Sequence, residues 1–311
     1  MKSLFNASTV WNIDRSKTLY DSLRELDDLG FANYELAWIP EEKFKSIKSP
    51  EVQRFAKGRI KSLHNFVPDT PELPKGRWKG SAYRLTSLDE VERKLAVKYT
   101  LKTIEVASDL GAEAVVIHLG EPEYDWNMSS GLTELFRKGL KSEKSYKEMQ
   151  EKIIRDRERE TPKHYETALF SLDEVNSLAI KRGVKLGLET RLYYEELPGI
   201  EELKKIFPKF EGGALYYWHD MGHATCQEEL GFEKRGEYLN SFKGRLLGMH
   251  IHDVYMLEDH RAPRMGSVDF SAFTEYFKNE KIIRVFEIHP KSTAEQLKAG
   301  KAMLEELCSK R

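Results

Sequence analysis

Short runs of β-branched and other apolar residues recur along the chain, and most are separated by charged stretches whose apolar positions repeat at helical spacing. Eight runs stand out: LFNAST from Leu4, NYELAW from Asn33, RIKSLHNF from Arg59, AVVIHLG from Ala114, VKLGLET from Val184, ALYYWHD from Ala214, LLGMHIHD from Leu246 and IIRVFEIHP from Ile282. Three of the amphipathic stretches, LRELDDLGF, VASDLGAEA and LAIKRGVKL, end on a glycine that can take the left-handed conformation closing a helix. Alternating strands and helices with right-handed crossovers close into a (β/α)8 TIM barrel, an α/β fold. An open doubly wound sheet is the alternative, but no glycine-rich dinucleotide turn follows the first strand.

At 311 residues the chain suits a single barrel domain over 1–311 with insertions. Two connections are long. The one between His64 and Ser87 is rich in Pro and Gly and reads as an irregular loop over the barrel mouth. The other carries a charged helical insertion at about 121–170, which reads as a solvated helix, with a lid or oligomerisation arm as the alternative.

Composition narrows the function classes. Lys plus Arg (50) nearly cancels Asp plus Glu (51), so no global attraction to nucleic acid or anionic lipid is visible. No apolar run approaches the roughly 18 residues of a membrane span. The two cysteines, Cys226 and Cys308, are too few for a disulfide framework and favour a cytoplasmic, reducing compartment.

Barrel active sites form where strands end and loops begin, so the residues closing each run carry the chemical signal. The third run ends at His64, the fourth at His118, the fifth at Glu189 and the sixth at Asp220, with His223 one turn on; the seventh reaches His250 and the eighth Glu287. Of nine histidines only His164 lies well away from such a position. Singly, a histidine there is more often a hydrogen-bonded structural residue. Together, Glu189, Asp220 and Glu287 would converge on one axis with no Lys or Arg at their level, and buried like charges need a cation. With His250 they form an oxygen-rich set suited to a divalent metal such as Mn, Mg, Co or Fe, and to Zn if more histidines join.

The ordered set VVIHLG, LGLETR, HDMGHA, GMHIHD, EDHRAPRMGSVDF and VFEIHP resembles the xylose isomerase-like (β/α)8 superfamily of sugar isomerases and epimerases, inosose dehydratases and the endonuclease IV group. The resemblance implies Glu189, Asp220, His250 and Glu287 as ligands of one metal. It also places His64, His118, His223 and His260 where the endonuclease branch completes a three-metal cluster, with Glu258 where that branch has Asp. The chain departs from that branch at HLGEP, at LETRLYY and in a loop where Arg264 and Met265 replace Gly and Glu.

The resemblance implies a metal-dependent sugar or sugar phosphate isomerase or epimerase, with Glu189 and Glu287 as base and acid on opposite faces of the carbon beside a carbonyl. Arg191, His252, Trp11 and Trp218 are candidate substrate contacts, and Trp38, Phe66, Tyr193 and Tyr194 could join them as aromatic walls. Asp253 reads as an orienting or capping residue. Lys291, Ser292 and Thr293 could hold a phosphate, although Thr293 and Gln296 also have capping-box spacing. The alternatives are endonuclease IV-like hydrolysis of abasic DNA, inosose dehydratase-like lyase chemistry, and a barrel that only binds a sugar or partner. A homo-oligomer is compatible with all of them.

Overall fold

The computed structural model describes residues 4–70, 72–77, 79–124 and 126–310. The predicted runs form strands β1 (Asn6–Ser8), β2 (Tyr34–Ala37), β3 (Ile60–His64), β4 (Ala114–Ile117), β5 (Lys185–Glu189), β6 (Leu215–Asp220) and β7 (Leu246–Ile251). A hairpin of β8 (Asp253–Tyr255) and β9 (Glu258–Arg261) comes next, and the eighth run forms β10 (Ile283–Phe286). Strands β1 to β7 and β10 are parallel neighbours in chain order, and β10 pairs with β1 to close the barrel. The eight-strand (β/α)8 TIM-barrel reading therefore holds. The hairpin was not anticipated: the run LLGMHIHD breaks at His252, and the chain from Asp253 to Arg261 folds back on itself.

Capping chemistry sets the helix limits. Asp89 accepts from the backbone N–H groups of Val91 and Glu92 to start the helix Glu90–Leu110, and Gly111 closes it at φ 68°. Gly183, at φ 69°, likewise ends Lys144–Arg182. At Ala294–Ser309, Thr293 and Gln296 form a complete capping box. The box accounts for the sequence signal there without a bound phosphate. The charged stretch at about 121–170 consists of the helix Trp126–Arg137 and the first part of the 39-residue helix Lys144–Arg182. Leu132, Tyr146 and Ile153 pack these segments together, and a buried Arg157–Glu202 ion pair ties the long helix to the next one.

One layer inside the barrel sets the floor of the site. Gly187 on β5 and Gly248 on β7 leave space for the fully buried Trp218 ring of β6; a Cβ on them would lie 2.9 and 2.3 Å from it. Each of these three residues stands two positions before a polar strand end, Glu189, Asp220 or His250. Because side chains alternate along a strand, the polar set faces the same interior one layer higher. Trp218 is thus the apolar plug beneath the polar layer, packed edge-on to His250 at 5.2 Å. It does not reach the cavity, which corrects its expected role as a sugar contact. A void of its size at this point costs about 3–5 kcal/mol.

Candidate metal centre

A cavity of about 740 Å³ opens at the C-terminal ends of the strands. Glu189, Glu287, His64, His118, His223 and His260 reach its wall, with Arg77, Arg84 and Arg191 facing Glu121 and Glu196 at one side. Two groups of donors lie beneath or along it, each with ligand atoms within 4.8 Å of one another: His64, Glu189, His250 and Glu287, and Asp220, His223, His252 and His260.

This grouping divides the expected four-residue set between two clusters. Glu189, His250 and Glu287 do come together, since His250 Nδ1 lies 3.0 Å from both Glu189 Oε1 and Glu287 Oε2. Asp220 joins the second group. Its Oδ2 is 3.6 Å from His250 Nδ1, whereas its Oδ1 lies 2.9 Å from His252 Nε2. The His252 ring rests on Gly222, where a Cβ would sit 2.0 Å from it, so HDMGHA owes its glycine to this close approach. His252 is fully buried and stays below the cavity wall, so it is a member of the second donor group rather than the substrate contact expected.

Glu258 is a further correction. It points away from the site, 2.6 Å from Arg261 and 3.9 Å from Lys291. Its neighbour Asp259 turns inward instead, 3.3 Å from His223 Nε2 and 2.9 Å from His260 Nδ1. Strict strand alternation would put Glu258 and His260 on one face, but His260 has φ 51°, which breaks the alternation and presents Asp259 and His260 together. Trp11 also falls outside the cavity wall: its indole N–H donates to the Ser292 carbonyl at 2.8 Å, with Arg15 over the ring. Of the aromatic residues expected near a sugar, Trp38 and Tyr193 line the cavity. Trp38 holds φ 45° and sets its ring edge-on to His64 at 5.2 Å.

The proton positions test whether a cation fits. His118, His64 and His223 each place Nδ1 against a backbone carbonyl, of Gly80 at 3.1 Å, Asn65 at 3.2 Å and Thr190 at 3.0 Å. A carbonyl can only accept, so each of these rings keeps its proton on Nδ1 and, when neutral, aims an Nε2 lone pair elsewhere. The Nε2 atoms of His118 and His64 lie 2.6 and 3.2 Å from Glu189 Oε2. Burial, helped by the Arg191 charge, pushes His118 down to about 3. At neutral pH the His118–Glu189 contact therefore opposes two electron-rich atoms. Glu287 Oε1 is buried without a hydrogen bond. Although burial disfavours their charge, the neighbouring histidines, His250 above all, hold Glu189 well below the usual carboxylate range and Glu287 near 2. Without a cation these carboxylates hold protons on His250 and His260, and a divalent cation in place of those protons satisfies carboxylates and imidazole lone pairs together.

Arg191 is positioned by Glu196, which accepts from its Nη2 at 2.9 Å and its Nε at 3.3 Å. Its Nη1 makes no hydrogen bond and lies 3.5 Å from Glu189 Oε2 at the cavity wall. Beside this pair is Glu121, bonded to Arg77 and missed in the sequence. Burial and the Glu196 charge push the Glu121 carboxyl up to about 7, from an ordinary value of 4.5. A carboxyl raised in the folded state contributes stability that is fully present below 4.5 and lost as pH rises through 7. The stability of Glu121→Gln relative to the parent is therefore expected to rise by about 3 kcal/mol between pH 5 and pH 8. Urea unfolding at the two pH values measures this, and a pH-independent difference would refute it.

Among the described residues no helix is long and apolar enough to cross a membrane. Several solved structures share the fold. A D-tagatose 3-epimerase-like protein is 19% identical with a TM-score of 0.65, covering 99% of this chain and 97% of its own. The 3-keto-D-glucoside 4-epimerase YcjR from E. coli is 13% identical with a TM-score of 0.68, covering 98% and 100%. The IOLI protein with a bound zinc atom is 16% identical with a TM-score of 0.64, covering 99% and 98%. A comparison with curated protein sequences finds no match. A family model for xylose isomerase-like TIM barrels matches residues 23–307, and the chain belongs to that family.

Proposed function

We propose that the protein is a divalent-metal-dependent isomerase or epimerase acting on a small carbohydrate, by proton transfer at the carbon beside a carbonyl. The observation that carries this reading is the pair of ionised carboxylates, Glu189 and Glu287, at the floor of one cavity and both 3.0 Å from His250 Nδ1. The sugar epimerases among the solved structures of like fold support the substrate class. In this reading His64, Glu189, His250 and Glu287 hold the metal, and Asp220, His223, His252 and His260 are the candidate donors for a further one. When bound, the cation would polarise the substrate carbonyl and stabilise the charge that develops on its oxygen.

The chain's own residues supply the proton chemistry. Glu189 and Glu287 come from β5 and from the end of β10, so they approach a bound sugar from different directions. One removes the carbon-bound proton and the other returns a proton to the product. The carboxylate acting as base is ionised when the sugar binds; its partner carries a proton taken from solvent, returns it to the product, and the base then releases the abstracted proton to solvent. Arg191 aims Nη1 at the same floor, where it can orient a substrate oxygen. Trp38 and Tyr193 line the cavity, where their rings would shield a bound sugar from water.

The second donor group is the observation that favours a multi-metal phosphodiesterase instead. Against it, among the described residues the cavity wall carries six carboxylates, of Glu121, Glu123, Glu189, Glu196, Asp259 and Glu287, beside three arginines and no lysine. That balance does not attract a polyanionic backbone. Incubation in D₂O with a panel of ketoses and inososes separates the readings. Deuterium entering the carbon next to the carbonyl is expected with the metal-loaded protein. Nicking of abasic DNA with three equivalents of zinc, and no wash-in, would overturn the proposal.

A further inference from the structure

Strand β2 carries an acid that the proton-transfer chemistry does not use. Glu35 is fully buried in the barrel. It lies in register with Ser62 of β3, whose hydroxyl donates to Oε2 at 2.8 Å. Across the barrel its carboxylate meets His250 Nε2, 3.3 Å from either oxygen, and Oε1 makes no hydrogen bond. A carboxylate buried with one hydroxyl and one imidazole as partners is costly and calls for a reason.

The geometry of His250 supplies one. Its two ring nitrogens face different surroundings: Nδ1 points at Glu189 and Glu287, and Nε2 points at Glu35. A neutral imidazole that gives a lone pair to a cation through one nitrogen carries its proton on the other, and that N–H needs an acceptor. Packing fixes the ring plane but not the proton, because Trp218 sits edge-on to His250 at 5.2 Å and His64 stacks on it at 5.5 Å. Trp218 and the stacked His64 would tolerate either tautomer. With a cation held by Glu189 and Glu287, the carboxylate at Nε2 selects the tautomer that leaves Nδ1 free to bind.

We infer that Glu35 is a positioning residue for the metal centre: it accepts the Nε2 proton of His250, directs the Nδ1 lone pair toward Glu189 and Glu287, and strengthens His250 as a ligand. Ser62 holds the carboxylate in place for this task. The inference rests on the reading that His64, Glu189, His250 and Glu287 hold a divalent cation.

Titration of the metal-free protein with Co²⁺ or Zn²⁺ tests it, with the visible Co²⁺ spectrum as a second readout. Glu35→Ala is expected to weaken binding about 10- to 100-fold and to change the Co²⁺ spectrum. Glu35→Gln retains an acceptor oxygen and is expected to recover part of the loss. Thermal unfolding without metal distinguishes a merely structural role. Removing a buried charge should leave the melting temperature unchanged or higher, whereas a residue needed only for packing would lower it. If Glu35→Ala unfolds, the nearly isosteric Glu35→Gln still carries the affinity test. Parent-like affinity and spectrum in a folded variant would overturn the inference and leave the metal reading standing. A parent protein that binds neither cation would overturn both.

Discussion

Glu189→Gln is expected to reduce the exchange of substrate hydrogen with solvent by about 10²- to 10⁴-fold, the usual contribution of a positioned general base. Gln keeps the size of the side chain but can neither accept a carbon-bound proton nor offer a charged ligand. Four histidines, His64, His118, His250 and His223, lie against this one carboxylate, so its loss disturbs the whole site. Glu287→Gln should fall in the same range, because it is the second carboxylate at His250 Nδ1. The two effects should not add: once either end of the proton transfer is lost, the remaining carboxylate has little left to do. Deuterium wash-in for the two single variants and the double variant measures this. A single variant that retains parent-like exchange would exclude that residue as base or acid.

Removing divalent metal is the second change of large expected effect. Five carboxylates, Glu35, Glu189, Asp220, Asp259 and Glu287, contact a common set of histidines. Without a metal cation, their repulsion is offset only by protons on those imidazoles and by Arg191 beside Glu189. Protein treated with a chelator should lose exchange activity and unfold at lower temperature, and both should return with added metal. A ligand binding only the folded state at a hundred times its Kd adds about 2.7 kcal/mol of stability. Protons compete for the same atoms, so the metal-dependent stabilisation should shrink as pH falls. Differential scanning calorimetry with and without chelator at two pH values tests this. A melting temperature that ignores both chelator and metal would refute the metal reading.

Much of the fold was legible because a strand buried on both faces is written as a short apolar run. Such runs stand out between charged amphipathic helices. The polar ends of those runs were legible for the same reason: a histidine or carboxylate closing an apolar run has few places to go except the barrel mouth. Hence His64, His118, Glu189, His250 and Glu287 could be singled out one by one, and the cavity brings all but His250 to its wall. The long helix Lys144–Arg182 was announced by its charge and helix-forming composition.

The errors have a common source. Glu258 was expected at the site from the spacing of the motif that the chain resembles, and an extended backbone would keep it on the face of His260, but His260 at φ 51° departs from that backbone. Trp218 has the composition of a sugar wall, but two glycines on neighbouring strands, far apart in sequence, decide that it fills the barrel floor. Glu35 carries no local signal at all, since its partner His250 is 215 residues away. The apolar rhythm and the chemistry of the strand ends, both properties of short segments, were thus determined by the sequence itself. Which nitrogen faces which carboxylate, how eight polar residues divide into two donor groups and which aromatic rings reach the cavity were decided by barrel closure. Closure sets distances between residues remote along the chain, and no local pattern encodes those distances.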